Sequence, residues 1–500
     1  MTDAALAGPT AFVLAGGGTK GSFEAGALQY LVGVERIIPD IVTATSAGAI
    51  AAAVLAQART HEEFAQRVQE IEDDILAMTR TEHVFGEQAW LRALKGTSLG
   101  GAIAHALTEG TRPPLPPLDV ESGVAIHAGG GPGGPADPAE AAADRERSAR
   151  AQRRGVRKSR RQRQRRVIRM ALGAAHRLPS VRRKLRTSGS SALNLDPLRD
   201  AMRHGGSSGI RPIDPALISR PGLRLRLAVT ALRAGVLRYV TENGTIVEDD
   251  ALTPAPGAAA GPVDLVNGVI ASASVPLVFP PRPLADDDYV DGGVLQVIPV
   301  RAAVALGATR VIAIVAMPLG LPRIERNYAE GTAADVGMRA MGMIAIADRQ
   351  RENLATPLPA GTNLTTIDPV VDVVGLFEVQ PGLLRINKDY GWLRAADTMA
   401  EGDATLLAEV AEQTHRLTTA RLQAWHLEEE LWAAGRGAAG STAGTMALLR
   451  ELKEQVYRAV DGRKQLGFPV PEGCETWWTE YEAHIGVRPA NLAPSPAVRS

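Results

Sequence analysis

Ser46 is the residue whose setting first suggests chemistry. It follows the β-branched run Ile41-Val42-Thr43 and precedes an alanine-rich run, Ala49 to Ala56, whose composition predicts a helix. A hydroxyl on a sharp strand-to-helix turn is the arrangement of a nucleophile elbow. The serine there takes a strained backbone conformation, and the residues two before and two after it must be small. Here those residues are Ala44 and Gly48, so the stretch reads A-x-S-x-G where G-x-S-x-G is usual. The start of the helix would also aim unpaired N–H groups at the hydroxyl. The same residues serve as well for an N-cap with small packing neighbours, so the motif needs support from elsewhere in the chain.

A second stretch gives that support. Ala11-Phe12-Val13-Leu14-Ala15 reads as a short buried strand, Gly16-Gly17-Gly18-Thr19-Lys20-Gly21 as a turn, and residues 22–32 as an amphipathic helix. A glycine-rich turn between strand and helix forms a nest of backbone N–H groups for an anion. One candidate anion is a phosphate, since Gly16, Gly18 and Gly21 satisfy G-x-G-x-x-G. A dinucleotide site then requires an acid closing the second strand, but that strand closes in Thr45-Ser46. A Walker site requires lysine directly after the last glycine, where Ser22 stands. The other candidate is an oxyanion formed on a substrate carbonyl. That reading requires a nucleophile on the neighbouring strand, and Ser46 is there.

The third stretch is acidic. Asp286-Asp287-Asp288 is followed by Asp291-Gly292-Gly293, after the apolar, proline-punctuated residues 272–281. Asp-Gly between apolar residues is a tight-turn signal, so Asp291 reads on its own as a turn carboxylate. The three adjacent acids are expected to be solvated rather than to ligate a metal.

These residues need elements to hold them, and the 500-residue chain is long enough for one large α/β domain with additions. Strands are expected at 223–230, with a hairpin partner at 235–241, and at 310–315 and 363–367. Helices are expected at 265–271, 298–306, 332–354, 395–434 and 445–460. Thr60 and Glu63 have capping-box spacing. The chain carries 55 basic and 55 acidic residues, so its net charge names no partner. The charge is unevenly spread. Residues 123–143 are a Gly/Ala/Pro linker, and 144–186 then hold 18 Lys/Arg against 2 Asp/Glu. This Arg-rich arm, between Arg145 and Arg186, reads as a solvated insertion or as a binding arm for anionic lipid or nucleic acid. It has no interleaved aromatic residue for base stacking. Cys474 is the only cysteine, which excludes an intramolecular disulfide and a multi-cysteine zinc site. The first ten residues lack a signal-peptide pattern and no long apolar run occurs. The expected location is therefore cytoplasmic, either soluble or attached peripherally to the inner face of a membrane. Trp477 and Trp478 in the proline-rich tail are candidate docking side chains.

Taken together, Gly16-Gly17-Gly18-Thr19-Lys20-Gly21, the Ser46 elbow, residues 271–281 and Asp291-Gly292-Gly293 resemble the patatin-like phospholipases in motif and in order. The resemblance implies a three-layer α/β/α fold with a mostly parallel central sheet. It places a catalytic domain at 10–320, interrupted by the low-complexity and Arg-rich insertion 112–190. A helical extension at 321–465 and a proline-rich tail at 466–500 would follow. It implies a serine lipid acyl hydrolase working on phospholipid or other fatty-acyl esters, with no metal or organic cofactor. Ser46 and Asp291 would form a dyad. Gly16, Gly17, Gly18 and Thr19 would supply the oxyanion hole, and Lys20, Gly21, Ala44, Gly48, Gly292 and Gly293 would support loop and elbow. Lys20 would either orient the oxyanion loop or stand solvated at the helix start. A carboxylate base needs a raised pKa, so Asp291 is expected in apolar surroundings supplied by residues 275–281. A histidine base would follow the acid in chain order, but His415, His426 and His484 lie in charged helices or the tail. The alternatives are a nucleotide- or nucleic-acid-binding protein using the glycine loop and arginine arm, and an inactive scaffold of the same fold.

Overall fold

A computed structural model describes residues 8–88, 92, 191–206, 209–256, 261–321, 327–330, 336–434 and 442–484. The chain divides into two compact units, Met1–Pro116 with Ser191–Ser500, and Pro117–Ser190. The Arg-rich arm and the linker before it lie outside the described residues.

The strands are β1 (Thr10–Leu14), β2 (Ile41–Thr45), β3 (Gly86–Glu87), β4 (Leu193–Asn194), β5 (Arg224–Ala231), β6 (Val236–Thr241), β7 (Ile246–Val247), β8 (Arg282–Leu284), β9 (Asp287–Asp291), β10 (Arg310–Ile314) and β11 (Asn363–Ile367). Nine of them make one sheet with the path β11-β10-β1-β2-β5-β6-β7, and β8 and β9 attach through β5. β11, β10, β1, β2 and β5 are parallel, and β6, β7, β8 and β9 are antiparallel to their neighbours.

Apolar residues on both faces of the parallel strands require helices on both faces. Phe12, Leu14, Val42, Ala44, Leu225 and Leu227 face one core. That core is closed by α1 (Gly21–Leu28), α2 (Ala47–Leu55), α3 (His61–Ala77) and, later in the chain, the helix Leu265–Ser272, here α4. Ala11, Val13, Val311 and Ala313 face a second core with α5 (Val300–Ala305) and α6 (Ala345–Leu354). The result is the expected α/β/α layering, in which each large side chain such as Phe12 or Leu14 gains roughly 1.5–3 kcal/mol by burial. Thr60 caps α3, accepting from the Glu63 amide at 3.2 Å. The Glu63 carboxylate reaches back to accept from the Arg59 amide at 2.6 Å and also meets the Thr60 amide.

Two expectations about helices need correction. Residues 22–28 are buried on every side rather than amphipathic, because α7 (Pro381–Met399) covers the face that would otherwise meet solvent. The two helices cross at backbone contact: a Cβ on Gly26 would stand 1.7 Å from the Lys388 carbonyl oxygen, and one on Gly391 1.9 Å from that of Phe23. The helix expected over 395–434 is two, α7 ending at Met399 and α8 (Ala404–Ala434) starting anew. Asp403 causes the restart by accepting from the amides of Thr405 and Leu406, each at 2.9 Å. α9 (Thr442–Gln465) completes the helical region. Trp477 does not face outward. It is buried beneath the Arg421 guanidinium, 3.6 Å from the ring centroid, and Arg421 pairs with Asp389 and Glu482. Among the described residues, no helix is long and apolar enough to cross a membrane.

Candidate active site

The sheet register brings Ser46 and Asp291 together. β5 gives one edge to β6 and shares its other edge between two strands. β2 occupies that edge up to Thr45, opposite Ala228, and β9 takes over with Asp291 opposite Val229. Neighbouring residues of β5 thus set the end of β2 beside the end of β9, although 245 positions separate Ser46 from Asp291.

Ser46 is 7% exposed and has φ 57° and ψ −124° at the cap of α2. A non-glycine residue held there costs on the order of 1–3 kcal/mol, which the surrounding structure must supply. The tight passage of the elbow lies on its helix side. A Cβ on Gly48 would come within 2.7 Å of the Ala15 carbonyl oxygen and 2.8 Å of that of Leu14. Ala44, by contrast, points its methyl into the core shared with Leu14 and Leu227. This explains how the chain carries alanine where glycine is usual.

Asp291 ends β9 and is 4% exposed. Its Oδ1 accepts from the Gly293 amide at 2.7 Å, and Oδ2 is buried with no hydrogen-bond partner among the described residues. Burial raises its pKa from 3.8 to about 7, against the opposing effects of the Ser46 hydroxyl and the Gly293 amide. The hydroxyl is thus near enough to act on the acid without completing a well-formed bond to Oδ2. The backbone of Asp291 is bonded to β5 and to the turn after α4: the Ser274 carbonyl accepts its amide at 3.0 Å, and the Thr230 hydroxyl donates to its carbonyl at 3.0 Å. Gly292 packs on β5, where a Cβ would stand 2.5 Å from the Ala228 carbonyl oxygen. The loop at 275–281 sends Phe279 into a cluster with Phe85 and Phe377.

The glycine loop follows β1. Gly16 packs against the elbow, its Cβ position 2.9 Å from that of Ser46. Of the four residues expected to donate to an oxyanion, two have amides already committed. The Gly16 amide donates to Val297 at 3.4 Å and the Thr19 amide to Leu376 at 3.0 Å. Among the described residues the amides of Gly17 and Gly18 have no protein acceptor. Gly18 has φ +57°, and a Cβ there would meet the Leu376 carbonyl oxygen at 2.1 Å, so the loop tolerates only glycine at this position. Gly21 opens α1, 3.6 Å from the Ala47 methyl at its Cβ position.

Lys20 is not solvated. It is 1% exposed, and its ammonium pairs with Asp372. With the Thr19 bonds to Gly375 and Leu376, this pair ties the glycine loop to residues 372–376. Sequence reasoning missed Asp372, and it missed Ser272, whose hydroxyl accepts the Ser46 amide at 3.0 Å and donates to the Ala228 carbonyl at 2.7 Å. It also missed Glu24, buried in α1 below the loop, where burial pushes the carboxyl well above its usual range.

The three adjacent acids have structural partners. Asp287 accepts from the amides of Arg233, Ala234 and Asp288, and the Arg233 guanidinium pairs with Asp288. Among the described residues no acid, histidine or cysteine cluster has the arrangement of a metal site. His415 and His426 lie in α8, and His484 stacks on Trp432, all in the C-terminal helical region.

Ser46, strained and buried, thus sits at the end of β2 beside the buried Asp291 at the end of β9, with the glycine loop packed against the elbow. Comparison with known proteins agrees with the motifs. The crystal structure of VipD from Legionella pneumophila is 14% identical, with a TM-score of 0.26 over 96% of this chain and 92% of that one, too loose a match to bear on the site. No curated protein sequence is significantly similar. The model named patatin-like phospholipase matches residues 12–304, more than half of the chain and all three motifs, and the chain therefore belongs to the patatin-like phospholipase family.

Proposed function

We propose that this chain is a serine acyl hydrolase for phospholipid or other fatty-acyl esters, with Ser46 as nucleophile and Asp291 as its base. The observation that carries the proposal is the strained, buried Ser46 beside a buried carboxyl whose pKa lies near 7. A carboxylate of ordinary acidity is a poor base toward a hydroxyl, and one raised to neutrality removes much of that mismatch.

The Ser46 Oγ attacks the ester carbonyl carbon while its proton passes to the free oxygen of Asp291. The carbonyl oxygen becomes an oxyanion, which the Gly17 and Gly18 amides receive. One such donor is worth roughly 2.7–4 kcal/mol in hydrolases. Collapse breaks the ester bond, and the leaving alcohol takes the proton from Asp291. Water then attacks the acyl-serine, gives its proton to Asp291, and releases the fatty acid as Ser46 regains its hydrogen.

Membrane attachment belongs to the same proposal. The chain departs at β3 and returns at β4, which pair with each other. The Leu193 amide of this stem donates to Val278 at 2.8 Å, in the loop leading to Asp291. The Arg-rich arm between Arg145 and Arg186 lies in sequence between β3 and β4, and anionic headgroups are its proposed partner. Incubating the protein with phosphatidylcholine and phosphatidylglycerol vesicles and analysing products by mass spectrometry tests the reading. The expected result is free fatty acid from wild type and none from Asp291→Asn, with binding that weakens as salt rises. Wild type that releases no fatty acid from either lipid or from simple acyl esters overturns it.

A further inference from the structure

The elbow motif accounts for the strain at Ser46 but not for what holds the Ser46 peptide. Ser46 is held at positive φ, and its amide ends on a side chain, the fully buried Ser272 hydroxyl. That hydroxyl is fully committed: it accepts from Ser46 at 3.0 Å and donates to the Ala228 carbonyl of β5 at 2.7 Å. Two residues later the Ser274 carbonyl accepts the Asp291 amide at 3.0 Å. The end of α4 therefore grips the backbone of the nucleophile with one residue and that of the base with another. Ala228, the acceptor for Ser272, is also the residue where β5 passes from β2 to β9.

We infer that Ser272 is a positioning residue, and that residues 272–274 set the separation and orientation of Ser46 and Asp291. The inference rests on the dyad proposed above. The elbow serine is strained, so its peptide relaxes unless something holds it. The threonines of β2 hold the other side, Thr45 donating to the Gln296 carbonyl and Thr43 to that of Pro299, each at 3.0 Å. Those bonds fix the strand below the elbow, whereas the Ser272 bond fixes the Ser46 peptide itself. Without it, an amide buried at the turn lacks an acceptor, and the turn rotates to find one. The Oγ then leaves its line with Asp291. Ground-state binding of an acyl chain does not depend on that line, so the effect falls on kcat rather than KM.

The test uses the full chain with Ser272→Ala and Ser272→Cys. The cysteine nearly keeps the volume and replaces the hydroxyl by a weak hydrogen-bonding group, so it separates bonding from packing. Thr60→Ala, which removes the remote cap of α3, serves as a matched loss of stability. Both Ser272 variants are expected to lower kcat on a soluble p-nitrophenyl acyl ester about tenfold, the scale of one ordinary hydrogen bond. KM stays in place, and Thr60→Ala keeps the wild-type kcat. Amide hydrogen exchange at Ser46 becomes faster in both Ser272 variants and not in Thr60→Ala. An unchanged kcat in Ser272→Ala and Ser272→Cys, or an equal fall in Thr60→Ala, overturns the inference. If wild type has no esterase turnover, it is the dyad reading that fails. Exchange at Ser46 then decides the clamp alone: faster in the Ser272 variants upholds it, unchanged overturns it.

Discussion

Asp291→Asn should make the protein more stable at pH 8 while removing its activity. Asparagine keeps the size of the side chain and an oxygen toward the Gly293 amide, which Asp291 holds at 2.7 Å, and removes the charge. The carboxyl has a pKa of 3.8 as an ordinary side chain and about 7 in the fold. Below pH 3.8 it is protonated in both states, and its contribution to stability is fully present. As pH rises toward 7 the unfolded chain loses the proton and the folded one keeps it, so stability falls, and it levels off above the folded pKa. At about 1.36 kcal/mol per pKa unit, wild type loses roughly 2.5 kcal/mol between pH 5 and pH 8 through this one group. Glu24, also raised by burial, adds a loss of the same sign to both proteins and cancels in the comparison. Scanning fluorimetry of wild type and Asp291→Asn at pH 5, 6, 7 and 8 should show the variant's advantage widening by about 2–5 °C. Over the same range wild-type kcat/KM should rise with unit slope and flatten above pH 7, because the base form is the ionised one. A stability difference that does not change with pH, or a rate already flat at pH 5, refutes the reasoning.

Other substitutions probe the elements around the dyad. Ser46→Gly should raise stability by about 1 kcal/mol, since glycine accepts positive φ without penalty, and it should abolish turnover; urea midpoints and rates read the two effects. Gly18→Ala places a Cβ 2.1 Å from the Leu376 carbonyl oxygen at a positive φ. Activity should fall at least about a hundredfold through displacement of the oxyanion amides, with KM much less affected. Asp372→Ala should destabilise by roughly 3–5 kcal/mol, because it leaves the buried Lys20 ammonium unpaired. Lys20→Ala should cost less, since Asp372 is 14% exposed and can take up water; thermal midpoints of the two variants test the order.

The local structure of the candidate site could be read from the chain because each motif carries its own geometry. A glycine nest, a small-residue elbow and an Asp-Gly-Gly strand end can be recognised in a few residues each. The parallel strands were legible for the same reason, as short β-branched runs bounded by turns. What the sequence hid was set by contacts between distant residues. Thr19 looks like an oxyanion donor until Leu376, far along the chain, takes its amide. Lys20 looks solvated until Asp372 arrives. Ser272 is one small residue in an apolar stretch, and only the register of β5 against β2 and β9 reveals its part. The sequence of α1 predicts a wet face because its cover, α7, begins at Pro381, more than 350 residues later. Its pattern is blurred by glycines whose purpose is the helix crossing itself.

The account stands on an activated hydroxyl at Ser46, and intact-mass analysis after treatment with a fluorophosphonate probe addresses it directly. Wild type should gain one adduct, mapped to Ser46. Ser46→Ala should gain none, and Asp291→Asn should label far more slowly at pH 7.5 while remaining folded. Unlabelled wild type, or an adduct that persists in Ser46→Ala, would contradict the central claim.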